Sequence, residues 1–175
     1  MSEPQTPKHA KLVIGAFANN KKIIEPLALE LSSQFGRMDL VSCWMDFNYT
    51  SYYHSEMGSP LARRMFAFKR LIEQAALAEI KIATNRMEQT YSAAGKRQVN
   101  IDPGYLLPER FVLASGKNFS HRIYIGLGIY ADLTLIYQKG GFQKLPWTYP
   151  DYAGQPMIGF LDQVRRKYVL DLKSM

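Results

Sequence analysis

Residues 96–105 read KRQVNIDPGY, residues 120–142 read SHRIYIGLGIYADLTLIYQKGGF, and residues 145–152 read LPWTYPDY. Tyr, Trp, Lys, Arg, Asn and Asp stand here in strand-like and turn-like sequence, where a plain core would need only alternating aliphatics. Such a mixture predicts a sheet with one apolar face and one polar, aromatic face. The central piece sets its own pairing. A three-residue loop Gly126-Leu127-Gly128 puts Ile125 opposite Ile129 and Ile123 opposite Ala131 on one face. The other face then holds Tyr124 against Tyr130 and Arg122 against Asp132, with His121 against Leu133 beyond. Aromatic and opposite-charge pairs across a ladder each add about 0.2–1 kcal/mol, whereas a two-residue loop would set Ile123 beside Asp132 and mix the faces.

Upstream, Lys11–Ala18 reads as a buried strand and Asn19-Asn20 as a helix start. Ile23, Ile24, Leu27, Leu31 and Phe35 recur at helical spacing, with Gly36 as a left-handed terminator; Pro26 either kinks the first turns or marks the true start. Asp39–Phe47 is a second strand, 49–60 a loop, and Arg63–Ile72 a third strand. A helix over 74–91 shows Leu77, Ile80, Thr84, Met87 and Tyr91 on one face. Arg97–Asp102 reads as a short strand that Asp102-Pro103-Gly104 ends in a type II turn. Residues 109–116 fit strand or helix equally. The hairpin 121–138, an aromatic loop and a helix from Pro156 follow, the last with Phe160, Leu161, Val164, Tyr168 and Leu172 inward.

This order, β-α-β-β-α-β plus hairpin and helix, predicts an α+β two-layer sandwich. Its core would be a ferredoxin-like split βαβ, extended by the C-terminal hairpin and helix. The arrangement leaves one sheet face free. Neither repeats nor low-complexity segments interrupt the chain, so residues 1–175 are read as one domain.

The composition, 47% hydrophobic and 21% charged, is that of an ordinary globular protein. No apolar run approaches the roughly 18 residues a membrane span needs, so no membrane partner is expected. The polar start MSEPQTPKHA and the lone Cys43 point to a reducing, cytoplasmic compartment. The net charge of +7 is uneven: residues 1–60 hold 5 basic and 6 acidic side chains, residues 61–175 hold 17 and 9. That excess either serves solubility alone or favours an anionic partner: a nucleotide, a phosphorylated metabolite or nucleic acid.

Chemical motifs are mostly incomplete. Gly15 to Lys22 invites comparison with a phosphate-binding loop, but Asn20 stands where a second Gly is needed and Lys22 where Ser or Thr would hold Mg²⁺. Arg64-Met65-Phe66-Ala67-Phe68-Lys69 resembles the stacking motif of RNA-recognition domains, but Met65 and Lys69 are out of pattern and residues 11–15 lack the companion aromatic, so core or edge-strand packing of Phe66 and Phe68 is the preferred reading. His121 beside Ser120, with Asp102 near, could serve acid–base chemistry, or simply bond backbone at a strand end. His9, His54 and His121 are too scattered for a metal site, and no metal is expected. Trp147, Tyr149 and Tyr152, stiffened by Pro146 and Pro150, either lid the core, wall a cleft or make a homo-oligomer contact.

Several segments together carry a resemblance: KLVIG at 11–15, Asp46-Phe47, Tyr52-Tyr53, EMGSPL at 56–61, NIDPGY at 100–105, SHRIY at 120–124 and LPWTYPDY at 145–152. They resemble an uncharacterised bacterial domain-of-unknown-function family of about this length, some of whose members are labelled GTP-binding. The resemblance implies no catalytic roles. The sequence lacks both a complete phosphate loop and an Asn-Lys-x-Asp guanine motif.

Two functions from different classes follow. One is a small-ligand protein, enzyme or not, holding an anionic metabolite or nucleotide in a basic, aromatic cleft. Asp102, His121, Arg122, Tyr124, Tyr130, Asp132, Lys139 and Trp147 are its candidate ligand-binding residues. The other is a nucleic-acid-binding module on the open sheet face. A concave pocket would favour the first, exposed Phe66 or Phe68 the second.

Overall fold

The segment AKLVIGAFA, Ala10–Ala18, forms the central strand β1 in the computed structural model, which describes residues 1–173. All nine of its residues are buried, because it is paired on both edges and covered on both faces. A 3-10 turn, Lys21–Ile23, leads into α1 (Ile24–Phe35). The Asn20 side chain accepts a bond from the Lys22 N–H at 3.1 Å and so caps that turn. Pro26 is the third helical residue, where its missing N–H has no intrahelical acceptor to lose. Gly36 ends the helix at φ +95°.

The chain continues through β2 (Met38–Val41), β3 (Met45–Phe47), the short helix α2 (His54–Met57) and β4 (Leu61–Ile72). Helix α3 (Leu77–Thr90) follows, then a two-stranded ribbon of β5 (Ser92–Ala93) and β6 (Lys96–Arg97). Next come β7 (Val99–Leu107), β8 (Arg110–Ser115), β9 (Arg122–Gly126), β10 (Ile129–Gln138), β11 (Gly141–Lys144) and α4 (Gln155–Lys173). The main sheet runs β11-β10-β8-β7-β1-β4-β2; β3 also pairs with β4, and β9 with β10. Every pairing is antiparallel. The protein is therefore a mixed α and β structure, an antiparallel sheet with four α-helices among the described residues.

Strand alternation separates the two largest apolar clusters. Leu12, Ile14 and Ala16 of β1, with Phe66 and Phe68 of β4, meet Leu27 and Leu31 of α1 and Ile80 and Met87 of α3. Both helices thus share one sheet face. Val13, Met65 and Ala67 belong instead to the cluster containing Met157, Phe160, Leu161, Val164 and Tyr168 of α4. The expected two layers with one face left free are thereby corrected. The apolar stripe of α4 had to be buried, and it covers part of that second face.

Two turn expectations are also corrected. Asp102-Pro103-Gly104 is no turn; β7 runs straight through it, with Asp102 opposite Gly15 and Pro103 opposite Ile14. The hairpin loop is two residues, Leu127-Gly128, at φ +54° and +75°, between paired Gly126 and Ile129. A bulge at Ile125 then restores Tyr124 to Tyr130, Ile123 to Ala131 and Arg122 to Asp132. The face-matching pairs are kept, and one looped-out residue absorbs the mismatch. The expected strand 39–47 is split around residues 42–44, the loop 49–60 contains α2, and β11 is an element the sequence did not suggest.

Candidate functional site

The site begins where the sheet splits. Strand β8 pairs with β7 only along Gly104–Leu107, so Val99–Pro103 of β7 has β1 on one side and an open edge on the other. That edge is satisfied by α3: Lys81 Nζ donates to the Ile101 carbonyl at 2.8 Å, and the Ile101 N–H donates to Glu88 Oε1 at 2.7 Å. Backbone polar groups two residues apart point the same way. Pro103 therefore turns its nitrogen toward the open edge, where no strand asks for a donor.

A cleft of about 820 Å³ fills the gap between that edge and Leu113–Lys117. Its walls are aromatic: Phe47, Tyr49, Tyr52, Tyr53, Tyr149 and Tyr152. Its charged lining is nearly balanced, with Arg63, Lys81, Arg97, Lys117 and Arg122 against Glu88, Asp102, Asp132 and Asp151. The cleft is aromatic, and its basicity is largely spent on its own carboxylates.

Three adjacent strands build the floor. Arg63, Phe17 and Asn100 form one cross-strand row, and Met65, Gly15 and Asp102 the next, all on one face. Gly15 is small for a reason: a Cβ there would stand 2.8 Å from Met65 Sδ and 3.4 Å from the Tyr152 hydroxyl. Arg63 is 3% exposed. It pairs with Asp151 and, at 3.5 Å, with Asp102, while its guanidinium lies 4.6–5.1 Å from the ring centroids of Phe47, Tyr152 and Phe17. Arg63 Nε and the Tyr152 hydroxyl are buried with no hydrogen-bond partner among the described residues.

Arg97 organises the α3 side. It makes a two-pronged contact with Glu56 at 2.7 and 2.8 Å, and reaches Glu88 and Asn100 Oδ1 at 3.1 Å each. Asn100 in turn donates to Asp102 at 2.8 Å. On the opposite wall, Arg122 donates to Asp132 at 2.9 Å, to Ser115 Oγ at 3.1 Å, to the Lys117 carbonyl at 2.9 Å and to the Tyr149 hydroxyl at 2.6 Å. The Arg122 and Asp132 side chains are only 6% and 3% exposed, so they are not the exposed-face pair that hairpin geometry alone suggests.

Environment sets the proton states. Burial would lower the Arg63 pKa, but Tyr152, Asp151 and Asp102 more than reverse it. Burial, then the Asp102 charge, pushes the Tyr53 hydroxyl up to about 12. Burial likewise holds Tyr152 well above the ordinary phenol range, so both stay donors at neutral pH. Burial raises the Glu88 carboxyl against the pull of Lys81. The bond from Arg97 lowers that of Glu56. Glu56 therefore contributes stability above its unfolded value of 4.5, which is lost as pH falls through its lower folded value. Glu56→Gln should make unfolding stability fall less steeply with acid below pH 4.5. Urea titrations at stepped pH measure this, and an unchanged slope would refute it.

Of the residues expected from sequence, Asp102, Arg122 and Asp132 line the cleft. His121 and Trp147 lie outside its lining: the rings stack at 5.0 Å, His121 meets Asp132 at 3.2 Å, and Trp147 Nε1 donates to the Leu133 carbonyl. Tyr124 and Tyr130 contact each other at 5.4 Å along the hairpin, and Lys139 sits in the β10–β11 turn at φ +52°. None of these five is among the lining residues. Arg63, Lys81, Glu88 and Arg97 were not anticipated. Tyr52, Tyr53, Glu56 and Asn100 stand in segments that carry the family resemblance, and Asn100 also in the polar stretch 96–105, with no binding role assigned to them.

Gly15 lies inside β1, and Lys21 rests over Trp44 at 5.1 Å, so the glycine–lysine segment forms no phosphate loop. Among the described residues no group of three or more His, Cys, Asp or Glu could hold a metal ion, and no helix is long and apolar enough to cross a membrane. Neither the curated proteins nor the solved structures compared with the chain include a match. A family model matches residues 8–168, nearly the whole length, and the chain belongs to that family, described as Domain of unknown function (DUF4416).

Proposed function

We propose that this protein binds an anionic small molecule, of the size of a nucleotide or phosphorylated metabolite, in the cleft between β7, β8 and α3. The observation that carries this reading is the cleft itself: about 820 Å³, concave, walled by six aromatic side chains. Small-molecule sites typically span about 300–1,000 Å³ and combine such walls with a few fixed polar groups. The arginines and carboxylates of the floor are locked by mutual contacts, which is the preorganisation a binding site needs. Nucleic-acid binding on an open sheet draws no support from Phe66 and Phe68, which are buried under α1 and α3.

We read the central strands β7-β1-β4-β2, with α1 and α3 on one face, as the ferredoxin-like unit; the antiparallel order supports it. The lone Cys43 supports a reducing, cytoplasmic setting.

The test is a thermal-shift screen of nucleotides, sugar phosphates and short RNA, repeated on Tyr52→Ala. Tyr52 is 62% exposed, so its removal should change stability by no more than about 0.5 kcal/mol. Loss of one stacking wall should weaken a ring-bearing ligand by about 1–3 kcal/mol. A binder whose affinity ignores Tyr52→Ala would place binding outside the cleft.

A further inference from the structure

Charge accounting inside the cleft narrows what it can take. Arg63 pairs with Asp151 and Asp102, Arg97 with Glu88 and Glu56, and Arg122 with Asp132. Lys81 is held by the Ile101 carbonyl and stands 3.9 Å from Glu88. Lys117 alone of the lining cations has no carboxylate within ion-pair distance among the described residues. Its ammonium donates to the Tyr52 hydroxyl at 3.3 Å and lies 4.8 Å from that ring's centroid.

The Lys117 backbone is nonetheless fixed. Its N–H donates to Ser115 Oγ at 3.1 Å and its carbonyl accepts from Arg122 at 2.9 Å. The exposed side chain therefore projects from an anchored point beside exposed Tyr52, at the mouth. Further in, every lining carboxylate already has its cation, and a second anionic group on a ligand would meet Glu88, Asp102, Asp132 and Asp151 without a free countercharge.

We infer that the ligand is a flat-ring compound carrying one anionic group, its ring among Tyr49, Tyr52, Tyr53 and Tyr149 and its anion at the mouth on Lys117. This rests on the reading that the cleft is a ligand site. Phosphate monoesters and carboxylates share the required chemistry; polyphosphates do not fit it.

The experiment is calorimetric titration of the full chain and of its Lys117→Ala, Lys117→Arg and Tyr52→Ala variants. The probes are the four ribonucleosides, their 5′-monophosphates and 5′-triphosphates, ribose 5-phosphate, benzoate and indole-3-carboxylate. At least one ring compound with a single anionic group should bind about tenfold or more tighter than its uncharged counterpart and, where it is a nucleotide, no weaker than its triphosphate, because one charge-assisted bond is gained. Lys117→Ala should erase that advantage and leave the neutral ring compound unchanged, while Lys117→Arg retains it. Nucleotide against aryl acid separates the two sources of the anion. A triphosphate binding tighter than its monophosphate, ribose 5-phosphate binding as well as the ring compounds, or an indifferent Lys117→Ala would overturn the inference and leave the cleft reading standing. Binding that ignores both Lys117→Ala and Tyr52→Ala, or no binding by any probe, would overturn both.

Discussion

Arg63→Ala should lower the free energy of unfolding by about 3–5 kcal/mol, the usual cost of removing one partner of a buried ion pair. The guanidinium is almost wholly buried, and the Asp151 and Asp102 carboxylates it neutralises are 10% and 27% exposed. Alanine strands both charges and empties the space between Phe17, Phe47 and Tyr152. Arg63→Met separates the two costs, since it refills the space and leaves the carboxylates unpaired. It should stay destabilised until Asp102→Asn and Asp151→Asn are added. Arg63→Lys should not rescue, because a single ammonium cannot reproduce the fork that reaches both carboxylates. Denaturant titration decides it: a loss under about 1 kcal/mol for Arg63→Ala would mean that the cleft floor is hydrated and the charges already compensated by water.

Arg63 also shows why the fold was more legible than the site. Helices α1, α3 and α4 announce themselves through apolar spacing, and β1 through a run of buried residues, because burial writes a period into the sequence. The hairpin pairs Tyr124 with Tyr130 and Arg122 with Asp132 because face matching constrains the register. Turn chemistry was a poorer guide. Asp102-Pro103-Gly104 has the residues of a type II turn, but the open edge of β7 tolerates the proline and the crowding beside β8 demands the glycine. The site depends on contacts far apart in the chain. Arg97 meets Glu56 across 41 residues, and Arg63 meets Asp151 across 88. No local pattern encodes such pairings, so an arginine within a strand reads as an edge or solvent-facing residue. Asp102, Arg122 and Asp132, which line the cleft, stand in the hairpin and the polar strand segment that the sequence singles out. Tyr124, Lys139 and Trp147 shared that neighbourhood in sequence but point elsewhere.

Gly104→Ala should destabilise the protein by about 3 kcal/mol, at the upper end of what an added methyl costs in a packed interior. A Cβ at Gly104 would stand 2.4 Å from the Val112 carbonyl oxygen, 3.0 Å from Leu113 and 3.2 Å from Phe111. The nearest obstacle is backbone, so no side-chain rotation relieves it; β8 must move away from β7. Gly15→Ala is the control. Its nearest clash, 2.8 Å, is with the sulfur of Met65, a flexible side chain that can shift. Gly15→Ala should therefore cost about 1 kcal/mol or less, and comparable losses in the two variants would refute the steric argument. The position also ties stability to function. Gly104 is the first residue of β7 paired with β8, the point from which the two strands diverge to make the cleft. Forcing them apart there would carry Leu113–Lys117 away from Asn100 and Asp102. Ligand-induced thermal shifts should consequently shrink in Gly104→Ala even at temperatures where it remains folded, and persist in Gly15→Ala. A Gly104→Ala protein that is destabilised but binds normally would separate the strand junction from the site.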